Sequence, residues 1–335
     1  MSQSSKQRVV FFNGELVPES EARISIYDSA LMFGDVAFEM TRSFNKKQFK
    51  LREHLARLLA SARWLRIPLK MSVDELERAC HEVVEANEPM FERDDEHRLM
   101  IDVTRGLLGI YANRVAGHVG TNIIIADFPL RWTVQDSAHL YAEGIDAVVP
   151  SQRMIPASLL EPKAKNRNRI HYLMANIELS QYSGKNAWAV LLDPDGFITE
   201  GTGSNFLIIK DDTLISPEPR NILRGISRDY VIELAKQIGL SFKETNIEPF
   251  DVMEADEAYF TCTPFCLVPA VKFNGQNIGD GKIGPVYDRL IKQWGDNVGV
   301  DILGQIQGWA GKRKGREPVG TTPYSFQNTN ADGSD

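Results

Sequence analysis

The sequence predicts a two-domain α/β (α+β) protein. Three observations carry that prediction. The chain has 335 residues, about two domains at ~150 residues each. Strand-like and helix-like segments interleave along its length. One stretch, DFPLRWTVQ at residues 127–135, breaks the pattern. That break divides the chain into a small N-terminal α/β domain (1–130), a linker (131–136) and a large C-terminal domain (137–311). Residues 312–335 are rich in Gly, Asn, Thr and Ser and read as a mobile tail.

The elements follow in order. Val9 to Phe12 is apolar and runs into Asn13-Gly14, a hairpin signal. Ala37 to Phe44 alternates imperfectly, Asn45-Lys46-Lys47 turns, and Gln48 to Leu51 returns. Leu55, Leu58, Leu59, Ala62 and Leu65 mark one face of a helix. A second helix opens on the capping box Ser72-x-x-Glu75 and buries Leu76, Ala79, Cys80, Val83 and Val84. Arg98 to Thr104 and Asn122 to Ala126 are strands. Beyond the break, Gly144 to Val149 is a strand, and Ile170, Leu173, Met174 and Ile177 form a helix face closed by Gly184. AWAVLLD turns at Pro194-Asp195-Gly196 into FITEG, then SNFLIIK, and Asp211-Asp212 turns into TLISP. Ser227 caps a helix ended by Gly239, and Val286 to Trp294 is a final helix.

Composition excludes several function classes. At 43% hydrophobic and 25% charged, the chain is globular and not disordered. Lys plus Arg is 38 against 45 Asp plus Glu, so a net charge of −7 disfavours a general nucleic-acid binder. Three cysteines point to a reducing compartment rather than a disulfide framework. The start carries no apolar stretch of signal-peptide length, and no run reaches the ~20 residues of a membrane helix. The expectation is a cytoplasmic protein.

Three motifs resemble known sites and read better as structure. Gly279-Asp280-Gly281-Lys282-Ile283-Gly284 fits G-x-G-x-x-G, but too little chain follows for a dinucleotide unit. His81-Glu82-x-x-Glu85 lacks the second His of a zinc helix, and Cys262-x-x-x-Cys266 has no second pair. No metal is expected. The region from Lys163 to Glu200 is more telling. Lys163 and Lys165 precede a helix, and Glu200 follows Lys165 by 35 residues at the end of a hairpin strand. Gly225-Ile226-Ser227 then opens a helix whose N–H groups suit a phosphate. An amine, a carboxylate and an anion cradle are the three things pyridoxal 5'-phosphate requires. An ordinary α/β protein also has caps and lysines, so the residues alone leave this open.

ITEGTGSNFLIIKDDTLISP, followed by GISRDYVIELAKQIG, resembles the class IV aminotransferases, the fold-type IV pyridoxal-phosphate enzymes. YDSALMFGDVAFEMTRSF and REHLARL agree, and the likeness runs in order over residues 9–295. The resemblance implies the two-domain fold of that class, with the cofactor in the interdomain cleft and the C-terminal domain binding it. It implies that Lys165 is the Schiff-base lysine and the acid–base of catalysis. Glu200 would partner the pyridine nitrogen. Arg57, Ile226 and Ser227 would hold the phosphate. Thr263 would lie near phosphate and substrate carboxylate. On the residues alone, Arg57 reads first as a surface helix arginine, Ser227 is explicable as a cap and Thr263 as an ordinary strand residue.

The resemblance leans to the branched-chain amino-acid aminotransferases. Phe38, Arg42 and Arg98 match that group's pocket positions, Leu108-Gly109-Ile110 resembles its loop motif, and the P-R-x-H trap of the D-amino-acid enzymes is missing. Met40 stands where a small residue is common. Lys165 to Arg169 reads K-x-x-N-R, as in the aminodeoxychorismate lyase group. Tyr172 is a candidate for the tyrosine near the cofactor's phenolic oxygen. The basic run after Lys165 suits either an anionic substrate or solvent. The implied reaction is ping-pong amino transfer from an apolar L-amino acid to a 2-oxo acid, in a homodimer whose partner chain approaches the pocket. D-amino-acid or R-amine transaminases and a pyridoxal-phosphate lyase are the alternatives.

Overall fold

A computed structural model of the chain describes residues 7–182 and 184–312. Beyond Lys312, the expected tail lies outside the described residues. These residues divide into two compact units. The first comprises residues 7–134, 161–169 and 298–300; the second comprises 135–160, 170–297 and 301–312.

The first unit runs β1 (Val9–Phe12), β2 (Glu15–Pro18), α1 (Ser29–Phe33), β3 (Val36–Met40), β4 (Ser43–Phe44), β5 (Lys47–Gln48), α2 (Leu51–Trp64), α3 (Val73–Asn87), β6 (His97–Thr104), β7 (Asn122–Pro129) and α4 (Arg131–Val134). Its five-stranded antiparallel sheet has the order β2-β1-β7-β6-β3. Asn13 and Gly14 both take positive φ, as do Asn45 and Lys46, so each pair makes the tight turn its sequence suggested. The Ser72–Glu75 capping box forms and starts α3. Leu55, Leu58 and Ala62 of α2 meet Leu76, Ala79, Cys80 and Val83 of α3 over Ala37, Leu99, Ile101, Val103 and Ile125 of the sheet. Both helices therefore cover one face. α1, which Asp28 caps through the Ala30 N–H, has no counterpart in the sequence reading.

The segment 161–169 joins this unit although it follows the linker in the chain. The reason is edge pairing. The Phe38 N–H donates to the Lys165 carbonyl and the Arg167 N–H to the Val36 carbonyl, each at 3.1 Å, along the edge of β3.

The second unit runs α5 (Leu140–Glu143), β8 (Ile145–Val148), α6 (Ile170–Ser180), β9 (Ala187–Leu192), β10 (Ile198–Gly201), β11 (Asn205–Lys210), β12 (Thr213–Pro217), α7 (Ile226–Gln237), β13 (Ser241–Thr245), α8 (Pro249–Met253), β14 (Glu257–Cys262), β15 (Cys266–Phe273), β16 (Gln276–Asn277), α9 (Pro285–Val298) and α10 (Ile302–Gly311). The last residue of α9, Val298, belongs to the first unit. The strands form one sheet in the order β10-β9-β8-β15-β14-β11-β12-β13, and β10 also pairs with β11, closing a ring of pairings. Glu200 pairs with Asn205 at that closure. α10 is a further helix beyond the sequence-based assignment. Among the described residues, no helix is long and apolar enough to cross a membrane.

Candidate active site

In the first unit the side of the sheet away from α2 and α3 carries chemistry. Directly paired residues share a face, and the register is Phe38–Asp102, Met40–Met100, Arg98–Phe128, Met100–Ala126 and Asp102–Ile124. Phe38, Met40, Met100, Ile124, Ala126 and Phe128 thus form an apolar surface on the side away from α2 and α3. The Lys165 Nζ lies 4.7 Å from the centre of the Phe38 ring. Its neighbour Lys163 pairs with Glu161 at 2.5 Å. The two lysines that sequence left adjacent therefore have different surroundings, and only Lys165 reaches this surface through Phe38.

Arg98 stands at the margin of the apolar surface. Its Nη1 donates to the Thr133 hydroxyl, its Nη2 approaches the Met40 sulfur at 3.5 Å, and its guanidinium lies over Phe128. Arg42 is placed differently. It is 1% exposed, its Nε donates to the Ser43 carbonyl, and it stacks 3.8 Å over Phe44 inside the β4–β5 hairpin. In the basic run after Lys165, Arg167 has a place in the fold. Arg167 makes a two-pronged ion pair with Asp102, at 2.9 and 3.1 Å, and stacks on Phe38. Burial pushes the Asp102 carboxyl up, and Arg167 opposes that push.

On the helix side of β3, Glu39 is completely buried and meets α2. Arg57 grips it with Nε at 2.5 Å and Nη2 at 2.9 Å, and His54 Nδ1 lies 2.7 Å away. Burial alone would raise the Glu39 carboxyl, but Arg57 and His54 prevail and hold it well below the usual carboxylate range. Burial lowers His54, and the Glu39 carboxylate beside it opposes that push. One turn further along α2, the Ser61 hydroxyl donates to the Arg57 carbonyl and accepts the Lys165 N–H at 3.0 Å.

In the second unit Glu200 is 5% exposed. The Tyr172 hydroxyl donates to its Oε1 at 2.8 Å, and the Asn205 amide and the Leu223 N–H donate to its Oε2 at 2.9 and 3.0 Å. These three partners are donors, the pattern that an ionised carboxylate satisfies. Tyr172 thus braces Glu200. The Asn205 amide also donates to the Leu223 carbonyl at 2.8 Å, locking the approach to α7. Gly225 caps α7 without a side chain over the helix end. A Cβ there would come within 2.0 Å of the Asn205 oxygen. Ser227, expected to be the cap, is instead the second residue of the helix, because Gly225 is the last residue in extended conformation. The leading N–H groups of a helix lack intrahelical partners and favour an anion, and Ile226 and Ser227 are the first two residues of α7. Thr263 lies half-buried in the turn between β14 and β15.

The rejected motifs are accounted for as structure. α9 follows the glycine-rich stretch, but its first turn is already filled: Val286 and Tyr287 donate their N–H groups to the Glu257 carboxylate at 2.8 and 2.9 Å. Cys262 and Cys266 face each other across the β14–β15 pairing without a disulfide, and His81 is exposed.

The family model for class IV amino-transferases matches residues 36–273. The chain belongs to the class IV aminotransferases. It is 32% identical over 293 residues to a branched-chain-amino-acid aminotransferase of Escherichia coli K12, covering 86% of this chain and 92% of that one. It is 31% identical over 278 residues to a D-alanine aminotransferase of Bacillus licheniformis, covering 83% and 92%. Among solved structures, the branched-chain amino acid aminotransferase of Thermobaculum terrenum in its pyridoxal-phosphate form aligns with a TM-score of 0.76 at 25% identity, covering 90% of this chain and 97% of that one. As a member of this family, the protein is a pyridoxal-phosphate-dependent transaminase acting on amino acids and 2-oxo acids. The residues present fit that cofactor: a lysine at an apolar face, a buried carboxylate ringed by donors, and a helix end open to an anion.

Proposed function

We propose that this transaminase moves the amino group of branched-chain and other apolar L-amino acids to a 2-oxo acid by a ping-pong mechanism. The observation that carries the reading is the apolar sheet face of Phe38, Met40 and Met100, with Lys165 above Phe38 and Arg98 at its margin. That surface suits an aliphatic side chain, and Arg98 suits a carboxylate. Met40 narrows it relative to a small residue.

Bound pyridoxal phosphate supplies the electron sink that makes the amino acid's Cα–H acidic. Lys165 holds the cofactor and then serves as the base at that Cα proton. Glu200 keeps the pyridine nitrogen protonated. By the family resemblance, Arg57, the Ile226 N–H and Ser227 would hold the phosphate, and Thr263 would serve phosphate and substrate carboxylate. Arg42, buried and stacked on Phe44, would contribute to the pocket from beneath its surface.

Near-equal identity to a D-alanine enzyme makes donor handedness the question to test. The holoenzyme's visible band is followed while L-leucine, L-glutamate, D-alanine and an R-amine are added separately. Bleaching by the two L-amino acids is expected. Bleaching by D-alanine or the amine alone overturns the L-reading, and a band that no donor changes points to the lyase chemistry.

The protein is further proposed to be a homodimer. Ile26, Leu31 and Phe33, at or before α1, are 73%, 64% and 62% exposed, an apolar group that a second copy would cover. Sedimentation equilibrium tests this; a monomer mass at micromolar concentration rejects it.

A further inference from the structure

A fully buried carboxylate needs a reason. An apolar residue of Glu39's size would pack against α2 without any desolvation penalty, and buried ion pairs are weak devices for stability. Glu39 nevertheless engages two α2 side chains, Arg57 through both Nε and Nη2, and His54 through Nδ1. We propose that Glu39, braced by His54, is a positioning residue that orients the Arg57 guanidinium to grip the cofactor's phosphate. The inference rests on the reading of Arg57 as a phosphate ligand.

The geometry supports this in three steps. A guanidinium is planar, so fixing Nε and one edge of Nη2 fixes the direction of every other N–H. The other N–H groups of Arg57 are therefore aimed away from Glu39, in the plane that Glu39 dictates. His54 then limits the carboxylate itself, because its Nδ1–H occupies Oε2 at 2.7 Å. Finally, the turn of α2 that starts at Arg57 also anchors the amine-bearing segment. Ser61 bonds the Arg57 carbonyl and receives the Lys165 N–H. Pyridoxal phosphate has a fixed span from aldehyde to phosphate, so a device that sets Arg57 on the element holding Lys165 matches two ends of one ligand.

The test compares affinities of apoenzyme for pyridoxal phosphate and for pyridoxal, which lacks the phosphate. Fluorescence titration is run on the wild type, Glu39→Gln, Glu39→Asp, Arg57→Gln and the double variant Glu39→Gln/Arg57→Gln. Glu39→Gln is expected to weaken pyridoxal phosphate by about 10- to 100-fold, the scale on which loss of one hydrogen bond to a charged group acts. Pyridoxal affinity is expected to stay near wild type. The double variant is expected to be no weaker than Arg57→Gln alone, since an orienting group has nothing left to orient. Equal losses for both ligands overturn the proposal and make Glu39 a general structural residue. If Arg57→Gln shows no phosphate-selective loss, the assignment of Arg57 fails, and the proposal with it. If Arg57→Gln is selective and Glu39→Gln is not, only the positioning role fails. Glu39→Asp serves if Glu39→Gln loses its native circular dichroism: its shortened carboxylate reaches Arg57 or His54 but not both, and the same selective loss is expected. If neither variant folds, Glu39 is an anchor of the core and the positioning role is rejected.

Discussion

Lys165→Ala is expected to abolish amino transfer. The loss combines a covalent anchor with a general base, and removing positioned proton transfer alone costs roughly 10² to 10⁴ in rate. The variant should fold, because the Lys165 side chain is only half-buried and the bonds that fix its segment are made by backbone: its carbonyl to the Phe38 N–H and its N–H to Ser61. Borohydride reduction of the wild type, followed by peptide mass mapping, should find the cofactor attached to the peptide that contains Lys165. In Lys165→Ala no attachment is expected. Lys163→Ala is the matched control, since Lys163 is tied to Glu161. Attachment that survives in Lys165→Ala and vanishes in Lys163→Ala would transfer the role to Lys163.

The residues of this prediction show how far the sequence could be read. Lys165 and Glu200 stand out in the sequence because both fall inside the stretch that matches the family, and the 35 residues between them fit its pattern. Ser72, Asn13 and Asp211 were legible because their structure is local: a cap or a turn is decided by neighbours two or three residues away. The Glu39–His54–Arg57 cluster was not. Its members come from a strand and a helix, and Glu39 is a charged residue inside an apolar strand whose partners appear only after packing. A usable trace existed: His54 and Arg57 are spaced i, i+3 on the helix, opposite a strand with one inward charge. Arg42 illustrates the converse. The resemblance offers it as a pocket position, while its packing over Phe44 beside the β4–β5 hairpin, where Asn45 and Lys46 make the turn, leaves no local pattern to read. Domain assignment also needed three dimensions, because the segment that carries Lys165 joins the first unit through strand-edge bonds that leave no periodic signature.

Glu200→Gln is expected to leave the fold and cofactor content intact and slow amino transfer by about two to three orders of magnitude, within the range for a group that stabilises developing charge. Its argument is electrostatic. Tyr172, Asn205 and Leu223 all donate to the carboxylate, so its negative charge is well held. The two oxygens of a carboxylate offer about four acceptor sites, enough to take a protonated ring nitrogen as well. Glutamine keeps the shape but presents an NH₂ where an acceptor is needed, and either Asn205 and Leu223 or the ring nitrogen must face it. Tyr172→Phe separates bracing from charge. It removes one bond to a charged group, a loss of about 1.5–3 kcal/mol in that interaction, while the carboxylate remains. A drop in kcat of roughly tenfold is expected, with the KM for the amino acid little changed and the cofactor band shifted in its pH profile. Should Tyr172→Phe match the loss in Glu200→Gln, the hydroxyl itself acts on the cofactor; should Glu200→Gln transaminate at the wild-type rate, the ring-nitrogen role belongs to another group.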